Sequence, residues 1–272
     1  MRLDNGSAVT IGAYDGVHVG HRRVIEHVRH RAASGGLRSV VVTFDKNPAA
    51  VINPASAPPR LTDIEFKLEL LAKTGVDQIL VIEFDAERAK ETAEDFVAEV
   101  LVAELSARVV VIGDDFHFGN QRRGNVALLQ AMGEEAGFSV EPVHLVSDDH
   151  AHEVVSSTRI RGLIAHGELS EAAALLGRPH EVRGLVVADA GHEPGERSHL
   201  ALEVPGEILL PPVGEYAGFV MSAAGENVAA HLVVPGRDGK GPQRIEISRI
   251  GVPRARPALR ARIGEVVRAR FA

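Results

Sequence analysis

Two β-branched runs constrain this chain more than any other feature: Ser39-Val40-Val41-Val42-Thr43-Phe44 and Arg108-Val109-Val110-Val111-Ile112-Gly113. Both are almost continuously apolar, without the alternation of a half-exposed strand. Such runs belong to strands covered on both faces, the situation of a parallel sheet. The surrounding sequence supplies the partners. Ala8 to Gly12, Gln78 to Phe84 and Ser139 to Val143 read as further strands. Helices are predicted from near His18 through Val28, after the capping box Thr62-x-x-Glu65 as far as Gly75, and from Thr92 to Leu105. A further helix runs to about Ala136, with Gly137 as its stop. Two short ones lie near Thr158–His166 and Ser170–Leu176. Strands alternating with helices predict an α/β domain with a parallel sheet. The segment Asp45 to Pro59 carries Pro48, Pro54, Pro58 and Pro59 and reads as a long loop.

The pattern changes after Gly177-Arg178-Pro179. Short strands are expected at Val182–Val187, Leu200–Val204, Tyr216–Met221, Val228–Val234 and Arg244–Ser248, with turns such as Pro205-Gly206 and Gly225-Glu226-Asn227 between them. This predicts a small all-β barrel or sandwich. Ala258 to Phe271, rich in arginine, reads as a terminal helix. The expected domains are therefore 1–180 and 181–272. The chain has 272 residues, 45% hydrophobic and 25% charged, enough for packed cores. It has no cysteine, which excludes disulfides, zinc–thiolate sites and a thiol nucleophile. A net charge of −7 argues against nucleic acid as a partner. No apolar run approaches the ~20 residues of a membrane span, and Met1 to Gly6 lacks a signal-peptide core. A soluble cytoplasmic protein with no membrane partner is expected.

Four segments carry chemistry. The first is Thr10-Ile11-Gly12-Ala13-Tyr14-Asp15-Gly16-Val17-His18-Val19-Gly20-His21. It joins a strand to a helix, where helix N-terminal amides face an anion. His18 and His21, one turn apart, can both face a polyphosphate and stabilise charge on a reacting phosphorus. Two surface histidines on an amphipathic helix are the plainer reading. The second is Val155-Ser156-Ser157-Thr158-Arg159-Ile160-Arg161, whose hydroxyls open a helix and whose Arg161 lies one turn in. An ordinary cap with a solvated arginine is its alternative. The third is Gly113-Asp114-Asp115-Phe116-His117-Phe118-Gly119-Asn120-Gln121-Arg122-Arg123-Gly124. It follows a buried strand, at the edge where α/β sheets bind ligands. Phe116 and Phe118 suit a flat ring, unless they only pack a surface loop. The fourth, Asp45-Lys46-Asn47-Pro48, is placed either to flap over a substrate or to connect two elements rigidly. There is no G-x-G-x-x-G, Walker A, G-x-S-x-G or H-E-x-x-H pattern.

Taken in order, these segments resemble the adenylyltransferase module of the prokaryotic bifunctional riboflavin kinase/FAD synthetases, within the H-x-G-H nucleotidyltransferase superfamily. Val42-Thr43-Phe44-Asp45, Leu61-Thr62, Lys67-Leu68-Glu69-Leu70-Leu71, Gly75-Val76-Asp77, Asp95-Phe96-Val97 and Arg123-Gly124 extend the resemblance over the N-terminal ~180 residues. It implies a Rossmann-like fold and a reaction in which the phosphate of FMN attacks the α-phosphorus of ATP, with Mg²⁺ bridging the phosphates. By this resemblance the catalytic residues are His18, His21, Ser157, Thr158 and Arg161. ATP is held by these with Gly12, Tyr14, Asp15, Gly16 and Ser156. Asn47, Pro48, Asp115, Phe116, Phe118 and Arg123 receive the flavin. The metal ligands are not assigned. The family commonly has histidine where this chain has Asn47, and asparagine and phenylalanine where it has Ala13 and Tyr14. The second domain departs further. Val182-Arg183-Gly184-Leu185-Val186-Val187 and Pro212-Val213-Gly214-Glu215-Tyr216-Ala217-Gly218 resemble parts of the kinase barrel. Its Mg-ATP turn is replaced by Gly191 to Leu200, and Glu246 is a poor substitute for its glutamate. FAD synthesis without riboflavin phosphorylation is expected. A paralogue that uses CTP or another phosphorylated acceptor, and a non-catalytic flavin-nucleotide binder, are the alternatives.

Overall fold

A computed structural model describes residues 5–143, 155–190, 199–236, 242–248 and 261–272. The replacement stretch Gly191 to Leu200 lies mostly outside these residues. By internal contacts the chain forms two compact units, Met1–Pro58 with Ile64–Ser156, and Pro59–Asp63 with Ser157–Ala272.

The first unit is a five-stranded parallel sheet. In chain order its elements are β1 (Ser7–Ile11), α1 (Val19–Gly35), β2 (Arg38–Phe44), α2 (Pro48–Ile52), α3 (Ile64–Ala72), β3 (Gln78–Ile82), α4 (Ala93–Phe96), β4 (Ala107–Gly113), α5 (Val126–Ala136) and β5 (Ser139–Val143). The strand order is β3-β2-β1-β4-β5, so the chain reverses its winding between β1 and β4. Open sheets bind ligands outside the carboxyl ends at such a point. The β-branched runs are buried on both faces, as expected. Val110 and Ile112 pack with Val9, Phe96 and Leu101, whereas Val109 and Val111 pack with Ala8, Val24 and Val28. Thr92 caps α4 through its hydroxyl, which accepts from Asp95 N at 3.0 Å, and the helix continues to Glu104 with wider winding. The segment after β2, expected as a loop, contains α2. Asn47 Oδ1 accepts from Ala49 N at 3.1 Å and Pro48 stands at the first helical position. A side-chain cap and a preset φ suffice to nucleate one turn there.

The second unit holds α6 (Ser157–His166), α7 (Leu169–Leu176) and a closed antiparallel barrel. Its strands are β6 (Glu181–Ala190), β7 (His199–Val204), β8 (Gly214–Met221), β9 (Asn227–Val234), β10 (Gln243–Ser248) and β11 (Val266–Phe271), in the order β10-β7-β6-β11-β8-β9. Closure leaves the sheet no free edge. The expected terminal helix is corrected here. Val266–Phe271 is the strand that pairs with both β6 and β8. Val267, Ala269 and Phe271 are buried, and Val266, Arg268 and Arg270 alternate with them. A period of two is a strand signature. The arginines serve that strand, since Arg268 and Arg270 pair with the buried Glu181 at 3.4 and 2.9 Å. The start of the expected helix, 258–260, lies outside the described residues.

Candidate active site

The site of the first unit is built on the turn after β1. Three of its residues put the backbone in the left-handed region: Tyr14 at φ 50°, Gly16 at 81° and Val17 at 41°. Glycine accepts this freely, but a β-branched valine does not. Strain of about 1–3 kcal/mol at such a residue persists only where the surroundings over-determine it. Val17 and Tyr14 are accordingly buried and pack with Ile25, Val41 and Leu71. The Tyr14 hydroxyl lies 2.7 Å from Thr10 Oγ1, and burial pushes that phenol well above its usual pKa.

His18 caps α1. Its Nδ1 accepts from His21 N at 3.3 Å, so the neutral ring carries its proton on Nε2. The rings of His18 and His21 stack with centroids 3.5 Å apart, and Tyr14 meets His21 edge-on at 5.0 Å. Gly20 makes room for this pair, because a Cβ there would lie 3.2 Å from His18 Nδ1. Among the described residues, His21 Nδ1 is buried without a hydrogen-bond partner. Burial, first, and then the charges of His18 and Lys67 hold the His21 pKa well below the usual imidazole value. His21 therefore rests neutral.

That depression has a consequence for stability. Below pH ~6.5 an unfolded histidine takes up a proton that folded His21 refuses. The unfolded state then binds more protons, so stability is fully present above pH ~6.5 and is lost as pH falls below it, by at most ~1.4 kcal/mol per pH unit. Urea melts at pH 7.0 and 5.5 should show this loss in the wild type and a smaller one in His21→Gln. Equal losses in the two proteins would exclude His21 as its source.

Beside the turn lies a cavity of about 570 Å³. Five of the chain's nine phenylalanines line it: Phe44, Phe84, Phe96, Phe116 and Phe118. Phe116 and Phe118 stack at 5.3 Å, and Phe44 meets Phe84 edge-on at 5.3 Å. Gly12, Ala13, Asn47, Pro48, Asp115 and Arg122 complete much of the wall. The cavity thus joins the loops after β1, β2 and β4. Arg123 is not among its lining residues; its guanidinium donates to Gln121 Oε1 at 3.2 Å. Arg88, which pairs with Glu91 at 2.6 Å, lines the wall instead and was not legible as a site residue. Phe84 reads in sequence only as a strand residue, and Phe44 and Phe96 fall in segments that match the family but carry no site role there. Their shared direction depends on strand register, not on any local motif.

In the second unit, α6 opens at Ser157, with Thr158 exposed and Ile160 and Ile164 buried. Arg161 is one turn in, and its Nε donates to Pro59 O at 2.7 Å. Ser156 immediately precedes the helix and closes the first unit's sequence. The Val155 to Arg161 motif is therefore divided between the two units after Ser156. Among the described residues no three His, Asp or Glu side chains cluster to hold a metal, and no helix is long and apolar enough to cross a membrane.

A crystal structure described as a macrolide-efflux protein from Streptococcus pneumoniae is similar over 100% of this chain and 89% of its own, with a TM-score of 0.79 and 24% identity. That likeness concerns the fold, sheet and barrel together. Among curated proteins, the bifunctional riboflavin kinase/FMN adenylyltransferase of Haemophilus influenzae is 38% identical over 186 residues, covering 68% of this chain and 60% of its own length. The protein of the same description from Escherichia coli K12 is 36% identical over 182 residues, covering 67% and 58%. The match thus spans about three fifths of these relatives. The FAD synthetase family model matches residues 1–159, which include the strained turn, the stacked imidazoles and the whole aromatic cavity; the chain belongs to the FAD synthetase family.

Proposed function

We propose that this chain is an FMN adenylyltransferase: it transfers AMP from ATP to FMN, giving FAD and pyrophosphate. The observation that carries this reading is the adjacency of two features in one unit. A cavity walled by phenylalanines, within the volume range of small-molecule sites, is lined at one side by Gly12 and Ala13, next to the turn that presents His18 and His21. A flat isoalloxazine suits the first and a triphosphate the second. A phosphate oxygen of FMN attacks the α-phosphorus, the bond to the β-phosphate oxygen breaks, and pyrophosphate leaves. FMN is already an anionic nucleophile, so no covalent enzyme intermediate is needed; positioning and charge stabilisation suffice. His18 Nε2–H and His21 donate to the triphosphate. By the family resemblance Ser156, Ser157, Thr158 and Arg161 are assigned to the triphosphate as well, with Gly16 and Asp15 shaping the turn. Mg²⁺ arrives with the nucleotide as part of the substrate.

Residues 181–272 serve in this reading as a structural or interaction domain without riboflavin phosphorylation, beside an adenylyltransferase domain of residues 1–180, and the protein works in the cytoplasm. Incubation with FMN, riboflavin, ATP and CTP in combinations, followed by mass analysis, tests the proposal. FAD and pyrophosphate from FMN plus MgATP, and no FMN from riboflavin, are expected. No FAD at saturating FMN and ATP sinks it. Asn47 and Ala13, both on the cavity wall where the family commonly differs, favour a second reading with another acceptor or CTP. A product seen only with those would select it.

A further inference from the structure

Lys67 sits on α3, outside the residues to which the resemblance gives a catalytic or binding role, and is 5% exposed. An ammonium has three N–H donors. Here they reach Ala13 O at 3.2 Å, Thr43 Oγ1 at 3.2 Å and Phe44 O at 2.6 Å. Thr43 Oγ1 donates onward to the same Ala13 O at 3.3 Å. Ala13 immediately precedes the strained turn, and Phe44 ends β2 just before the Asn47-Pro48 segment. Both also line the aromatic cavity. One side chain therefore ties the carboxyl ends of β1 and β2 together where the two halves of the site diverge. Burying an ammonium is costly unless its charge or its hydrogen bonds return the cost. A neutral amide could satisfy the carbonyls. What it could not supply is a fixed positive charge at the strand ends, where fields are weakly screened.

We propose that Lys67 is a positioning residue of adenylyl transfer: its buried ammonium fixes the turn that carries His18 and His21 and adds a permanent positive charge beside the face that takes the triphosphate. This rests on the transfer reading above. The charge already acts on His21, which is faced by Tyr14 and His18 from its own turn and by Lys67 from α3. Burial is the first cause of that imidazole's lowered pKa, and the Lys67 charge adds to it in the same direction.

Lys67→Gln separates the charge from the hydrogen bonds. In the free variant, the NMR titration midpoint of His21 should move up by about half a pH unit or more, as expected when a nearby positive charge is removed. The acid limb of kcat/KM for MgATP should move with it, and kcat/KM at pH 7.5 should fall about 10- to 100-fold. Lys67→Met, which loses the hydrogen bonds too, should fall further. A folded Lys67→Gln with an unmoved His21 midpoint and kcat/KM within threefold overturns the proposal. A measurement on the wild type covers the case of variants that do not fold. The ¹⁵Nζ signal of Lys67 should shift when a non-hydrolysable ATP analogue is added with Mg²⁺, and an unmoved signal also overturns it. If the wild type forms no FAD yet the analogue moves both the Lys67 and His21 signals, the transfer reading fails and the place given to Lys67 stands.

Discussion

His21→Ala is expected to lower kcat/KM for FAD formation about 10²- to 10³-fold, the usual effect of deleting one preorganised donor to a developing anion. The size follows from how the ring is held. Its Nδ1 is buried without a partner among the described residues, and its faces are fixed by the His18 stack and the edge of Tyr14. Little reorganisation remains to be done when the triphosphate binds. The same stack predicts non-additivity. Without its neighbour the His18 ring loses its support, although its Nδ1 still caps α1 by accepting from backbone N of position 21. The double variant with His18→Ala should therefore be little worse than the poorer single one. Pyrophosphate release measures the rate, and FMN fluorescence measures a cavity to which neither histidine contributes a lining atom. A His21→Ala enzyme within fivefold of wild type would remove the imidazole pair from the reaction.

Gly119→Ala is expected to destabilise the first unit by about 3 kcal/mol, from ~1–3 kcal/mol of backbone strain and a similar overpacking cost. Gly119 has φ +69°, and a Cβ there would lie 2.7 Å from Ala93 N and 2.8 Å from Ala93 Cα. These are backbone atoms at the start of α4 and cannot swing aside. The damage falls on the cavity wall, because Phe118 and Gly124 exchange backbone hydrogen bonds of 3.1 and 2.9 Å around this turn. The KM for FMN should therefore rise along with a Tm loss of roughly 6–12 °C, scaled from 2–4 °C per kcal/mol at this size. Gly137→Ala is the control. Its φ is +81°, but nothing lies within 4 Å of a Cβ there, so it should lose only ~1 kcal/mol and leave FMN binding alone. Equal effects of the two substitutions would show that crowding at Ala93 is not the cause.

Much of the first unit was legible because its signals are local. Val40 to Val42 and Val109 to Ile112 announce strands covered on both faces, and Thr92, Asn125 and Gly137 mark helix ends by side-chain or left-handed caps. The His18/His21 and Phe116/Phe118 segments stood out for the same reason. What escaped depended on register. Phe84 and Phe96 join the cavity only because β3 and α4 deliver them there, and Lys67, although it opens a segment that matches the family, carries no role in the sequence reading. The last strand failed through composition. Arginine favours helices on average, and the alternation of Val267, Ala269 and Phe271 was too short to outweigh it.

The five residues Pro59 to Asp63 belong to the barrel's unit although the chain on both sides of them builds the parallel sheet. Arg60 N donates to Glu207 O at 2.6 Å, Leu209 N donates back to Arg60 O at 2.8 Å, and Asp63 pairs with Arg183 at 3.0 Å. The polypeptide consequently passes from one unit to the other three times, after Pro58, after Asp63 and after Ser156. Modularity along the gene and modularity in space therefore disagree. No single cut liberates either unit whole. A recombinant barrel begun at Ser157 would lack Arg60 and Asp63, and a chimaera joined at one seam would graft a foreign strap onto Glu207, Leu209 and Arg183. Shuffling this barrel among relatives therefore requires exchanging two segments at once.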